Sequence, residues 1–75
     1  MIVITGSAGF ISSALARRLN AENFVDLVLV DDFIARPDKE QNHKDLRCSL
    51  RIERDDFEAW LHANQSQVQF IFHLG

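Results

Sequence analysis

Residues 1–32 constrain the fold more than any other part of this sequence: an apolar run breaks into a glycine turn, resumes at helical spacing and ends in a second apolar run closed by acid. The stretch reads Ile2-Val3-Ile4-Thr5, then Gly6-Ser7-Ala8-Gly9-Phe10-Ile11-Ser12, then a helical pattern over 14–19, then Asp26-Leu27-Val28-Leu29-Val30-Asp31-Asp32. Strand, tight turn, helix and strand in that order make a βαβ unit with two parallel strands.

The residue types are those a bound diphosphate needs. A strand that becomes a helix within a few residues requires backbone freedom, which Gly6 supplies. A pyrophosphate seated on the helix N-terminus requires close approach of the loop backbone, so Gly9 is expected to matter for having no side chain. The first amides of a helix are unpaired, and the macrodipole places roughly half a positive charge there. Asp31 closes the second strand about twenty residues after the turn, where a carboxylate accepts both ribose hydroxyls. A two-glycine loop by itself is common, and most such loops bind nothing. Preceded by a strand, followed by a helix and answered by a strand-ending acid, it points to nucleotide binding. The one departure is Ser12, which stands where the pattern has a third small residue for close helix–strand packing. Serine is small enough, and its hydroxyl can bond the carbonyl one turn back.

The first strand, about 2–5, is apolar throughout, as a central strand buried on both faces should be. Phe10, Ile11, Ala14, Leu15 and Leu19 recur at helical spacing and are expected to face the core, leaving Arg17, Arg18 and Asn20 outside. The second strand, about 25–30, ends in Asp31-Asp32. Residues 34–44 turn polar around Arg36-Pro37-Asp38 and read as a solvated surface loop that includes His43. Leu46, Cys48, Leu50 and Ile52 then alternate with Arg47, Ser49 and Arg51, the pattern of a half-exposed edge strand. Asp55 or Asp56 is expected to cap a helix whose apolar face is Phe57, Trp60 and Leu61, with Trp60 a core anchor and His62 solvated. A fourth strand over 68–74 completes the order β-α-β-β-α-β. With right-handed crossovers the fold class is α/β, part of a Rossmann-type parallel sheet of strand order 3-2-1-4 with one helix on each face. The ligand crevice should open at the carboxyl ends of the first and fourth strands, where His73 either lines the cleft or ends the strand.

Composition closes off other classes. Seventy-five residues, 47% hydrophobic and 25% charged, make one globular domain at most. A net charge of -3 argues against a nucleic-acid partner, whose phosphates require a basic face. The single cysteine, Cys48, excludes an internal disulfide, reads as a small core residue and fits a cytoplasmic location. Residues 1–16 imitate a signal peptide, but they lack a basic start, are interrupted by Gly6 and Gly9, and carry Arg17-Arg18 after the apolar run. No run approaches the ~18 apolar residues that span a bilayer, so no membrane partner is expected. The sequence holds no phosphate-loop Gly-Lys-Ser/Thr, no Cys/His pair at ligand spacing and no nucleophile elbow, and no catalytic or metal-ligating residue is assigned.

Thr5-Gly6-Ser7-Ala8-Gly9-Phe10-Ile11-Ser12-Ser13 resembles the Thr-Gly-x-x-Gly-Phe-Ile-Gly-Ser opening of the extended short-chain dehydrogenase/reductases, the NAD-dependent sugar-nucleotide epimerases and dehydratases. Phe70-Ile71-Phe72-His73-Leu74-Gly75 resembles that family's fourth strand, which closes in a His-x-Ala or His-x-Gly turn beside the cofactor. Within the family, Leu29-Val30-Asp31-Asp32-Phe33 and Ile71-Phe72-His73 are most similar to the ADP-heptose 6-epimerases. The resemblance covers the whole chain but only the start of the family, so residues 1–75 are expected to be the N-terminal part of a dinucleotide-binding domain. It implies NAD as cofactor, with Gly6, Ala8, Gly9, Phe10, Ile11, Asp31, Asp32, Phe33, Leu74 and Gly75 around it, and a nucleotide-sugar bound by the full-length parent. NAD is expected over NADP because Asp31 would repel a 2′-phosphate. NADP stays open through Arg36 or Lys39, in the connection that flanks the adenosine end of the cofactor in that family. The family's adenine contact falls on Ile52-Glu53 or, with a slipped register, on Asp55-Asp56.

That family's chemistry is carried by a Ser or Thr and a Tyr-x-x-x-Lys pair, the tyrosine serving as acid/base for transient hydride transfer at a sugar carbon. This sequence has no tyrosine. The chain alone is therefore expected to turn over no sugar nucleotide. The alternative is a non-catalytic module of similar topology, a nucleotide-sensing regulator or a receiver-like domain with a metal on Asp31-Asp32. A receiver, however, places its acidic pair after the first strand, where this chain has Thr5-Gly6. The fourth strand is apolar, without proline or bulge, and is expected to be covered along 68–74 by a second copy, a partner or further polypeptide.

Overall fold

The computed structural model describes residues 1–74 and leaves Gly75 outside the described residues. Its elements are β1 (Ile2–Thr5), α1 (Phe10–Ala21), β2 (Leu27–Asp31), a short α2 (Glu40–His43), β3 (Leu50–Glu53), α3 (Phe57–Asn64) and β4 (Phe70–His73). Four parallel strands form one sheet in the order β3-β2-β1-β4, the order expected from right-handed crossovers. The register aligns Thr5 with Val30 and His73, and Val30 with Ile52, so the carboxyl ends of the strands form one level row.

Two cores lie on opposite sheet faces. On one, Ile4, Leu27 and Leu29 pack with Ala16 of α1 and with Leu46; Cys48 and Phe33 lie against this cluster. On the other, Val3, Val28, Val30 and Ile52 meet Phe57 and Trp60 of α3. Trp60 is thus a core anchor, while His62 is exposed. The continuous apolar runs of β1 and β2 are explained by this arrangement, since each consecutive residue meets a helix on one side or the other.

The structure corrects several local expectations. Of the face expected for α1, Leu19 packs half-buried against the core, but Phe10, Ile11 and Ala14 are exposed, and the fully buried face is a different one. It is Ser12, Ser13, Ala16 and Asn20, whereas Phe10 and Ile11 are 84% and 74% exposed. Only small side chains fit where the first turn of α1 stands over the end of β1. Asn20 is buried because its amide is used: Nδ2 donates to the carbonyls of Phe24 and Arg47, each at 3.0 Å, and Oδ1 accepts from the Arg47 amide at 2.7 Å. The hydroxyl bond to a carbonyl one turn back belongs to Ser13, which donates to Phe10 at 3.0 Å, rather than to Ser12.

The polar stretch 34–44 is folded, not a plain loop: a 3-10 turn, Pro37–Lys39, runs into α2. His43, expected in solvent, is buried, its ring 4.7 Å from that of Phe33. β3 starts at Leu50; Leu46 and Cys48 precede it as packed loop residues. Asp56 occupies the N-cap position of α3 without a side-chain cap bond, because its backbone (φ -96, ψ -8) is helical where a capping residue is extended. A 3-10 turn, Arg54–Asp56, leads into the helix instead.

Candidate functional site

Where the strand order reverses, between β1 and β4, a crevice of about 430 Å³ opens at the carboxyl ends of the strands. Gly6, Gly9, Phe10, Ile11, Ser12, Asp31, Lys39, Arg54 and Leu74 line it. Sequence alone had singled out six of these for a cofactor: Gly6, Gly9, Phe10, Ile11, Asp31 and Leu74.

The glycine turn forms the floor. Gly6 has φ 67, a left-handed conformation that favours glycine, and its carbonyl accepts the Gly9 amide at 3.0 Å. A Cβ on Gly9 would stand 3.2 Å from that same carbonyl oxygen, closer than ordinary contact. Gly9 is thus small for the turn itself as well as for anything lying over it. The first helical bond of α1 runs from the Ser13 amide to the Gly9 carbonyl at 2.9 Å. The amides of Phe10, Ile11 and Ser12 precede it and form the electropositive end of the helix, bordering the crevice.

Asp31 faces this helix end from β2 and is joined to the turn that precedes it. Its Oδ2 accepts the Ala8 amide at 2.8 Å and its Oδ1 accepts the Asp32 amide at 2.6 Å. Each oxygen keeps acceptor capacity toward the crevice, because a carboxylate oxygen takes more than one donor. Ala8 is buried and contributes through this backbone bond, not as a wall residue. Asp32 pairs with Arg54 at 3.3 Å, an ion pair over the β2 and β3 ends. Phe33 lies outside the crevice wall, its ring against His43. Gly75, assigned to the cofactor from sequence, falls outside the described residues.

Of the two cations considered for a 2′-phosphate, Arg36 is bonded to Asp38 at 3.4 Å, and that hydrogen bond holds the guanidinium above and the carboxyl below their usual ranges. Lys39 is the one that reaches the crevice wall. Sequence reading missed Arg54, although its position just after β3 puts it level with the strand-ending acids. Of the two placements for an adenine contact, Ile52 is buried in the core and Glu53 accepts the Ile34 amide at 3.0 Å, while Asp55 and Asp56 are exposed.

A smaller cavity of about 110 Å³ adjoins the crevice, sharing Gly6, Asp31 and Arg54 and adding Thr5, Val30, Phe57 and His73. His73 therefore ends β4 and lines this smaller cavity rather than the crevice itself. Its Nδ1 is hydrogen-bonded to Thr5 Oγ1 at 2.8 Å, tying the ends of β1 and β4. Among the described residues no three His, Cys, Asp or Glu side chains are grouped to hold a metal ion, and no helix is long and apolar enough to cross a membrane.

Comparison with known proteins agrees with this geometry. A family model described as NAD dependent epimerase/dehydratase family matches residues 2–75. Among similar proteins, an ADP-L-glycero-D-manno-heptose-6-epimerase of Alkalilimnicola ehrlichii is 36% identical over 77 residues, covering 100% of this chain and 24% of that protein. One of the same name from Cupriavidus pinatubonensis is 37% identical over 75 residues, covering 99% of this chain and 22% of that protein. The chain thus spans about a quarter of the length of the curated relatives it matches. With the family's pattern matched from β1 to the end of the sequence, and that pattern's glycines and strand-ending acid meeting at one crevice, the chain belongs to the NAD dependent epimerase/dehydratase family.

Proposed function

We propose that this chain is the N-terminal, cofactor-binding part of a sugar-nucleotide epimerase or dehydratase, and that its crevice receives a nicotinamide dinucleotide. The observation that carries the reading is the bond from the Ala8 amide to Asp31 Oδ2, which fixes the strand-ending carboxylate beside the open amides of Phe10, Ile11 and Ser12. In this reading the helix end holds the pyrophosphate, Gly9 lets it approach, and Asp31 accepts the hydroxyls of the adenosine ribose. When bound, the dinucleotide supplies reversible hydride acceptance at a sugar carbon. This chain's part is to bind and orient it: the acid/base tyrosine of the family is absent from the sequence, and residues 1–75 alone are expected to turn over no sugar nucleotide.

Asp31 and Lys39 bracket the ribose 2′ position in this reading, the first favouring NAD, the second a 2′-phosphate. The expected order is NAD ahead of NADP, and Asp31→Ala should relax it. The relatives' names support an ADP-linked heptose as the parent's substrate class. A cytoplasmic setting belongs to the same proposal, supported by the free thiol of Cys48. So does a covered edge on β4, by further polypeptide or a second copy. Isothermal titration of the full-length protein with NAD+ and NADP+, on the unmutated protein and on Asp31→Ala, tests the reading. Saturable binding with a narrowed preference in the variant is expected; no binding of either cofactor overturns it.

A further inference from the structure

The wall that carries Lys39 is a polar segment whose packed anchor is His43 against Phe33, and among the described residues what fastens it to the glycine turn is one side chain. Asn42, in α2, donates from Nδ2 to the Ala8 carbonyl at 2.9 Å. Ala8 is the residue whose amide is held by Asp31, so a single buried residue of the turn is gripped from both sides: N–H by the strand-ending acid, C=O by Asn42. The carbonyl of Asn42 is in turn fixed by Arg17 Nη2 at 3.0 Å, and Arg17 also reaches Asp45 at 3.3 Å. One turn before Asn42 along the same segment, Lys39 is half-buried and lines the crevice with Asp31. Further bonds hold the two ends of the segment: the Ile34 amide to Glu53 Oε1 at 3.0 Å and the Arg36 amide to the Asp32 carbonyl at 3.1 Å at one, and Arg51 Nη2 to the His43 carbonyl at 2.9 Å at the other.

We propose that Asn42 is a positioning residue for cofactor discrimination: by bridging to the Ala8 carbonyl it holds Lys39 beside Asp31, and so sets how strongly the crevice distinguishes a 2′-phosphate from a 2′-hydroxyl. This rests on the reading of the crevice as a dinucleotide site. Asparagine suits the task because the bond needs a short neutral donor. Aspartate has the same shape but presents only acceptors to the carbonyl oxygen, and adds a second negative charge near Asp31. Releasing the bridge frees Lys39 without touching the helix amides or Asp31, so the loss should fall on the ligand that uses the lysine.

The test is a double-mutant cycle in the full-length protein, titrating NAD+ and NADP+ by calorimetry against the unmutated chain, Asn42→Asp, Lys39→Ala and the pair, with Asn42→Ala as a second variant should the aspartate disturb folding. The expected result is a fall of about three- to tenfold in the NADP+ to NAD+ affinity ratio with either Asn42 substitution, and no further change in that ratio once Lys39 is alanine. Asn42→Gln, which keeps a donor, should restore part of the ratio. A merely structural role would weaken both cofactors alike and leave the ratio unmoved, which overturns the proposal, as does an equal change with and without Lys39. If the unmutated protein binds neither cofactor, the dinucleotide reading itself falls and the proposal with it; if it binds both and the ratio ignores Asn42, the proposal alone falls.

Discussion

β2 and β4 flank the same central strand, run parallel to it and are both largely apolar, yet their surroundings are opposite. Leu27 and Leu29 are 0% exposed, whereas Phe70, Ile71 and Phe72 are 65%, 46% and 37% exposed. The difference is not in the strands. β2 has β1 on one side, β3 on the other, and a helix-bearing core on each face; among the described residues β4 pairs with β1 alone. Register puts Phe70 and Phe72 on the face of Ile4 and Ile71 on that of Val3, so β4 is apolar toward both layers, as β2 is. An apolar strand specifies a covered place in a sheet, and for β4 the described residues do not supply the cover.

The largest effects should come from testing that contrast by truncation. Leu29→Ala should cost roughly 2–5 kcal/mol in the full-length protein, and Phe70→Ala should approach it there under the proposed cover of the edge. In the 75-residue chain alone, Phe70→Ala should cost less than about 1 kcal/mol, most of the ring being in water already. Urea unfolding of both forms reads the difference. A Phe70→Ala variant that is neutral in the full-length protein breaks the comparison and removes the covered edge from the proposal.

Next in size is the association of the isolated chain. An apolar edge open to water templates pairing with another chain, so sedimentation at micromolar concentration should show concentration-dependent association, reduced by Ile71→Lys. A cooperatively folded monomer whose Ile71 and Phe72 amides exchange slowly would contradict this.

A smaller effect belongs to the β2 side. His43 is buried against Phe33 with Nδ1 unpartnered, and burial, reinforced by the nearby Arg51 charge, lowers its pKa below the ordinary 6.5. The unfolded chain therefore binds the proton more readily, and stability is fully present above about pH 6.5 and declines as pH falls below it toward the folded-state pKa. Thermal unfolding between pH 7.5 and 5.5 should show that decline, flattened in His43→Phe. The smallest effect is expected at Ile11, 74% exposed where the first turn of α1 borders the crevice: Ile11→Ser should change unfolding free energy by no more than about 0.5 kcal/mol in the chain alone.

The same contrast between packed and polar regions explains what was legible from sequence. The strand order, the crevice at the β1/β4 reversal and the helix on each face follow from apolar runs punctuated by Gly6 and closed by Asp31, features that are local and periodic. The buried face of α1 was misread because close helix–sheet approach selects Ser12, Ser13 and Ala16, which a search for large apolar residues passes over. The fold of 34–44 and the burial of His43 were hidden for another reason. Bonds from Arg17, Asn42 and Arg51 to backbone carbonyls hold that segment, joining residues 5–34 positions apart with no periodic trace. Of the crevice, the glycines and Asp31 were legible through their spacing, while Arg54 arrived through sheet register, which brings Asp31 level with Glu53.

The most direct measurement is a titration of the ¹⁵N-labelled full-length protein with NAD+, followed at the backbone amides. Saturable shifts concentrated at Phe10, Ile11 and Ser12, extending to Ala8 and Asp31, are expected if the N-terminus of α1 holds the pyrophosphate beside the strand-ending acid. Binding that leaves those amides unmoved, or no saturable binding at all, would contradict the assignment of this crevice to a dinucleotide.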